Sequence, residues 1–262
     1  MFFLFSLTAF LLLHLNNQTK NMCFHNALSQ VATAIESRFD ARFIDKTVFK
    51  PIYHGNGFTF LKWPIITSEN ADIINLYNWG LIPFWTKTHD DALNIRKVTL
   101  NAQGETVFSK PSFKYSIINK RCLVLSSGFY EWQHIGNNTY PYYISPKNDD
   151  LMAMGGIYSE WTNKENGETL NTFSIITTVA NALLSTIHNT KKRMPFILTK
   201  ENEREWLNPH LSQNQISDLI NPYKDDFLKA YTVGRLISST LQDTNVKEVQ
   251  KSYEYPELNQ LF

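Results

Sequence analysis

The chain has 262 residues, 43% hydrophobic, 19% charged and 14% aromatic, a mixture that can bury a core and excludes a disordered or low-complexity chain. With 25 Lys and Arg against 24 Asp and Glu the formal charge is +1, so nucleic-acid binding can come only from a local basic patch. The two cysteines, Cys23 and Cys122, exclude a disulfide framework, and neither has the Cys/His company of a structural zinc site, so the chain reads as intracellular and metal-free.

Residues 2–15, FFLFSLTAFLLLHL, form an apolar run followed by a polar stretch over 16–21. The run is shorter than the ~17–25 residues of a membrane span. It also lacks the preceding cation and the small-x-small cleavage site of a secretory signal. A signal or anchor is one reading. The preferred one treats residues 1–21 as an extension, with translation starting at Met22 and removal of that Met exposing Cys23. Residues 22–262 show no repeat, linker or composition break and read as one domain. Alternating and β-rich runs predict strands over 57–66, 123–133, 139–145, 151–161 and 169–179, with turn signals at 136–138 and 165–167. Helical patterns cover 28–39, 111–119, 181–188, 201–207 and 212–221. The helices flank the strands rather than alternate with them, which argues for an α+β fold.

Cys23 carries the first chemical signal. At a mature N-terminus its α-amine (reference pKa ~7.7–8) and thiol (~8.5) sit on adjacent carbons. An aldehyde captured by the amine as an imine can be closed by the thiolate into a five-membered thiazolidine. An incidental cysteine near the chain start is the other reading.

Three further clusters follow. Trp79-Gly80-Leu81-Ile82-Pro83-Phe84-Trp85 precedes Asn101-Ala102-Gln103-Gly104-Glu105-Thr106. These aromatics read either as core or as a wedge and stacking platform for bases, and Gly104-Glu105 as the opening of a helix. In Ser127-Gly128-Phe129-Tyr130-Glu131-Trp132 the strand period puts Phe129 and Glu131 on one face. A carboxyl hemmed in by aromatics has a raised pKa suited to a general acid; an edge-exposed glutamate is the alternative. In Ile187-His188-Asn189-Thr190-Lys191-Lys192-Arg193-Met194-Pro195 the three basic residues form a phosphate-suited loop with His188 at its entrance, or a solvated turn. Cys122 sits in an apolar strand pattern as a small hydrophobe. Phosphate-cradling glycine loops, a Rossmann fingerprint and metal-binding histidine pairs are absent from the sequence.

Together and in this order the motifs resemble the SRAP (SOS response-associated peptidase) family of abasic-site processing proteins. The likeness runs through Met22-Cys23, the 79–85 motif, Asn101-Ala102 with Glu105-Thr106, Arg121-Cys122-Leu123, Gly128-Phe129-Tyr130-Glu131-Trp132, Pro141-Tyr142-Tyr143, Ile175-Ile176-Thr177-Thr178 with Ala180-Asn181, His188, Arg193-Met194-Pro195 and Trp206-Leu207. The resemblance implies mostly antiparallel sheets forming a barrel-like core with flanking helices. It implies a cytoplasmic, nucleoid-associated monomer that binds single-stranded DNA and traps abasic sites covalently, without membrane, metal or organic cofactor. Cys23 would form the thiazolidine with the deoxyribose C1′ aldehyde. Asn101 would hold the N-terminal residue and the sugar, Glu131 would act as acid and base in ring opening, and His188 would assist imine formation and crosslink closure or reversal. Trp79, Phe84 and Trp85 would lie near the DNA; Gln103, Lys191, Lys192 and Arg193 are further DNA-contact candidates from their own chemistry.

The chain departs from the family pattern in three places. Phe24-His25 stands where the family commonly has Gly-Arg, Gln103 where it commonly has Arg, and the usual His-x-Arg-Met-Pro is lengthened by residues that include Lys191 and Lys192. The added lysines are expected to offset the missing arginines. An upstream segment left in place would acylate the Cys23 nitrogen and stop imine formation. Two other classes of function remain open: a cysteine-dependent peptidase or autopeptidase that exposes Cys23 using Glu131 and His188, and a non-catalytic single-strand binding module.

Overall fold

The computed structural model describes residues 23–148 and 150–258. The apolar run and the Met22 start lie outside the described residues. In chain order the elements are β1 (His25–Leu28), α1 (Ala32–Phe39), β2 (Arg42–Phe43), β3 (Ile52–Asn56), β4 (Lys62–Thr67), β5 (Asn70–Trp79), α2 (His89–Arg96), β6 (Asn101–Gln103), α3 (Lys114–Asn119) and β7 (Arg121–Ser126). There follow β8 (Gly128–Ile135), β9 (Asn138–Pro146), β10 (Met152–Thr162), β11 (Thr169–Val179), α4 (Ala182–Ile187), β12 (Arg193–Pro195), α5 (Lys200–Leu207), α6 (Gln213–Leu219) and β13 (Leu228–Thr232).

β4, β7, β10 and β11 are buried along most of their length because both of their faces are covered. They pair in the order β11-β10-β7-β4-β5, and β5 returns to β11 through the parallel pairs Thr172↔Asn78 and Phe173↔Trp79. The five strands thereby close a barrel. Trp79 sits at the closure, fully buried, with its indole donating to Leu100 O at 2.8 Å and stacking on Phe173. Among the helices, α5 lies on β7, where Trp206 donates to Cys122 O at 3.0 Å. A second, five-stranded sheet runs β13-β9-β8-β1-β3, and one apolar cluster passes from the barrel to Leu28, Phe129, Ile144 and Leu228 of this sheet. The fold is the α+β arrangement with a barrel core expected from the sequence.

The run expected as one strand over 123–133 is two strands in two sheets. Ser127 turns the chain out of the barrel, its amide donating to Ala27 O at 2.8 Å, while buried Ser126 Oγ accepts from Gly128 N and donates to Asn26 Oδ1. The expected strand over 57–66 begins only at Lys62, because Asn56 Oδ1 caps a 3₁₀ turn by accepting from Phe58 N and Phe60 takes a left-handed conformation. The helix expected from residue 28 starts at Ala32, since His25–Leu28 is claimed as a strand between β3 and β8. Strand β5 and helix α2 were not expected. Asn70, Asp72, Asn75 and Asn78 interrupt the apolar pattern of β5, whose pairing partners β4 and β11 decide its conformation. Among the described residues no helix is long and apolar enough to cross a membrane.

Gly128 is required by proximity. A Cβ there would run into the Tyr143 ring and stand 2.7 Å from Ile144 O, with backbone on one side and a packed ring on the other. Gly128→Ala is therefore expected to cost about 1–3 kcal/mol by overpacking, read as a lower denaturant midpoint at unchanged slope.

Candidate active site

The seam between the barrel and the second sheet gathers four polar side chains. Cys23 lies just before the β1 strand, with Phe24 between, and β1 pairs with β8 in the register His25↔Tyr130, which brings Glu131 beside it. Asn101 opens β6, a short strand held parallel to β11 by Ile175↔Asn101. His188 ends α4. Asn181 caps the start of that helix by accepting from Leu184 N, and His188 N donates back to Leu184 O at 2.7 Å.

Donor atoms of Cys23, Glu131 and His188 lie within 4.8 Å of one another, and the three residues are 3%, 4% and 3% exposed. His188 Nδ1 shares a hydrogen bond with Arg193 O at 2.9 Å and stands 3.7 Å from Glu131 Oε2. With the proton on Nδ1, donated to that carbonyl, Nε2 is left as an acceptor. Asn101 Nδ2 donates to Cys23 O at 3.2 Å, while Asn101 Oδ1 and Glu131 Oε1 are buried without hydrogen-bond partners. Burial raises the Glu131 pKa above its usual 4.5, against the pull of His188 and the Cys23 thiol. Burial also raises the Cys23 thiol, the neighbouring Glu131 carboxylate adds to the rise, and Arg193 opposes it. A carboxyl that keeps its proton above the ordinary range, next to a thiol and an imidazole, is equipped for proton transfer to and from a carbonyl oxygen.

The residues expected at DNA separate into groups. Trp79 does not belong there: it is 0% exposed and committed to barrel closure, so its ring offers no face to a base. Phe84 and Trp85 are 54% and 48% exposed, held out by a loop whose Ile82 is buried and whose Thr86 O accepts from Trp161. Gln103, Lys191 and Lys192 are exposed. Arg193 makes a two-pronged bond to Glu105 at 2.6 and 2.9 Å and also donates to Thr177 O and Oγ1, so its charge is already matched. Glu105, read from sequence as a helix opener, instead lies in a turn as the partner of Arg193.

Phe24 and His25 serve packing. Phe24 is buried with its ring 4.6 Å from that of Phe58. His25 shares a 2.7 Å hydrogen bond with His54, which in turn bonds Thr244 Oγ1 at 2.7 Å. Burial lowers His25 to about 3, with His54 adding to the fall, and lowers His54 to about 4. Neither ring is cationic near neutral pH, so neither replaces the charge of an arginine. No sequence signal announced this pair, because its members come from different strands.

The lengthened loop after His188 is pinned at several points. Asn189 Oδ1 accepts from His134 N and Asn189 Nδ2 donates to His134 O, Lys192 N donates to His188 O, and Ala180 N donates to Lys192 O. Lys192 takes φ +51°, the left-handed turn that absorbs the added length.

A family model described as SOS response associated peptidase (SRAP) matches residues 22–240, and the chain belongs to this family. It is 39% identical over 177 residues to abasic site processing protein YoqW of Bacillus subtilis, covering 67% of this chain and 75% of that protein. Abasic site processing protein YoaM of the same organism is 34% identical over 221 residues, covering 83% of this chain and 93% of its own length. A crystal structure of a Bacteroides thetaiotaomicron protein superposes with a TM-score of 0.82 at 43% identity, covering 88% of this chain and all of that one.

The raised Glu131 carboxyl gives a pH signature to stability. Below the ordinary carboxylate value the folded and unfolded chains both hold this proton. Above it the unfolded chain releases the proton first, so stability falls as pH rises toward the raised folded value. Wild type is expected to lose up to about 1.4 kcal/mol per pH unit across that window relative to Glu131→Gln, measured by urea unfolding at stepped pH.

Proposed function

We propose that this protein processes abasic sites in single-stranded DNA by forming a covalent thiazolidine through Cys23. The gathering of Cys23, Asn101, Glu131 and His188 at one buried seam is the observation that supports it. The similarity to abasic site processing proteins supports it as well. In this reading Cys23 is N-terminal, residues 1–22 being absent from the working protein. The ring-opened deoxyribose presents its C1′ aldehyde; the Cys23 amine adds, water leaves, and the imine carbon is closed by the thiolate. The S–H proton replaces the one consumed when hydroxide leaves as water, so the sequence needs no oxidant or reductant.

Glu131 donates the proton that opens the sugar ring, a task suited to a carboxyl that burial keeps protonated. His188 exchanges protons at the imine, with Nδ1 anchored on Arg193 O. Asn101 fixes the Cys23 carbonyl, and its unpartnered Oδ1 is available to a sugar hydroxyl. Phe84 and Trp85 stack on unpaired bases, while Gln103 and the Lys191-Lys192 pair meet the backbone. Arg193, neutralised by Glu105, orders this loop and binds phosphate only weakly. The protein acts as a monomer.

The decisive experiment is a denaturing-gel shift. Protein beginning at Cys23, verified by intact mass, is mixed with single-stranded DNA carrying one abasic site. Wild type yields a covalent band on the abasic strand and none on an intact strand; Cys23→Ala yields none, and Glu131→Gln slows the band about a hundredfold. Absence of the band in wild type overturns the reading. Residual acyl chemistry in Cys23→Ser on a peptide would then favour the peptidase alternative.

Lys191→Ala with Lys192→Ala is expected to weaken single-strand binding and to flatten the slope of log affinity against log salt by about 1.4, or about 0.7 for each of two phosphates left without a cation. Fluorescence anisotropy at several salt concentrations measures both.

A further inference from the structure

Among the described residues, Cys23, Glu131 and His188 form the one group of three such side chains with donor atoms within 4.8 Å of each other. All three are buried, and Glu131 Oε1 has no hydrogen-bond partner. A buried acceptor without a donor is costly, and a proton or a cation relieves the cost. Thiol, imidazole and carboxyl together are the donor set of borderline-soft divalent cations; magnesium and calcium take oxygen donors alone. Tetrahedral zinc holds such donors at roughly 2.0–2.3 Å, hence about 3.5 Å apart, a spacing that small side-chain rotations reach from the present one. When Cys23 is N-terminal, its α-amine can take the fourth position and close a five-membered chelate with the sulfur.

We propose that this cluster reversibly binds a thiophilic divalent cation of the Zn²⁺ class and that the bound ion inhibits aldehyde trapping. The inhibition rests on the function proposed above, because the ion occupies the two nucleophiles, thiolate and amine, that the aldehyde requires. On binding, a metal–sulfur bond replaces the S–H bond and the proton passes to solvent, as does any proton on Glu131; no electrons are transferred. The ion is an inhibitor of the site, not a cofactor of the reaction, and a chelator restores activity. Three of the four donors are side chains, so the full chain tests the site whatever the state of its N-terminus.

The test uses Co²⁺ as the probe, added to full-length protein freed of metal by dialysis against a chelator. Expected are a thiolate-to-cobalt charge-transfer band in the near ultraviolet and the intense visible bands of four-coordinate cobalt, both displaced by Zn²⁺. Cys23→Ser loses the near-ultraviolet band, Glu131→Gln and His188→Ala weaken binding, and Cys122→Ala retains it. In a second arm, crosslinking by protein beginning at Cys23 is followed with chelator, with stoichiometric Zn²⁺, and with chelator added after the Zn²⁺. Loss of the crosslink with zinc and its recovery with chelator support the proposal. A wild type without the cobalt band, or a band that survives Cys23→Ser, overturns the metal site. An intact crosslink in a zinc-loaded protein overturns inhibition. A cobalt band with no crosslink even in chelator supports the site but overturns the trapping function and the inhibition built on it.

Discussion

Closure of the barrel between β5 and β11 sets the position of everything else. The strands meet through only the pairs Thr172↔Asn78 and Phe173↔Trp79, a short parallel contact that an open sheet could forgo. Trp79 secures it from within: its indole donates to Leu100 O, and Arg96 Nη2 donates to Trp79 O at 3.3 Å. Gly80, at φ +99°, lets the chain leave the strand while its amide donates to Phe173 O. Leu100 O also accepts from Ile175 N, so the residue before Asn101 is gripped from both sides of the closure. The hydrogen bond from Asn101 to Cys23 thus links the tryptophan at the barrel closure to the end of the second sheet where Cys23 and Glu131 meet.

Burial, more than charge, organises the chemistry. Glu131 and Cys23 lie where ionisation is disfavoured, and the environment holds both toward their neutral forms. The positive charges of Lys191 and Lys192 and the exposed rings of Phe84 and Trp85 lie outside this buried group, on other elements. The division matters because a buried carboxyl functions as an acid only while water and salt are kept from it.

Much of this was legible in the chain itself. Cys23, Asn101, Glu131 and His188 are chemically distinctive types inside recognisable strings, and the fold class follows from strand runs flanked by helical ones. The pairing of Arg193 with Glu105 was not legible, since 88 residues separate them. Nor was the His25–His54–Thr244 chain, built from separate segments of sequence. Trp79 shows the limit most clearly: it sits in the same apolar motif as Phe84 and Trp85, yet a buried partner in β11 takes one ring inside and leaves the others in solvent. Local pattern reports what a residue is suited for, while long-range pairing decides how it is used.

The loop after His188 separates two demands that a shorter connection would couple. Its backbone is fastened at His188 and Asn189 and again at Lys192, which bonds both His188 O and Ala180 N, while the Lys191 and Lys192 side chains are exposed. Side chains at 190–192 can be recharged while the backbone bonds that hold the imidazole and its carbonyl anchor stay in place. The loop is therefore a place where substitution can change the charge of the protein's outer face while the buried group of Cys23, Glu131 and His188 stays fixed.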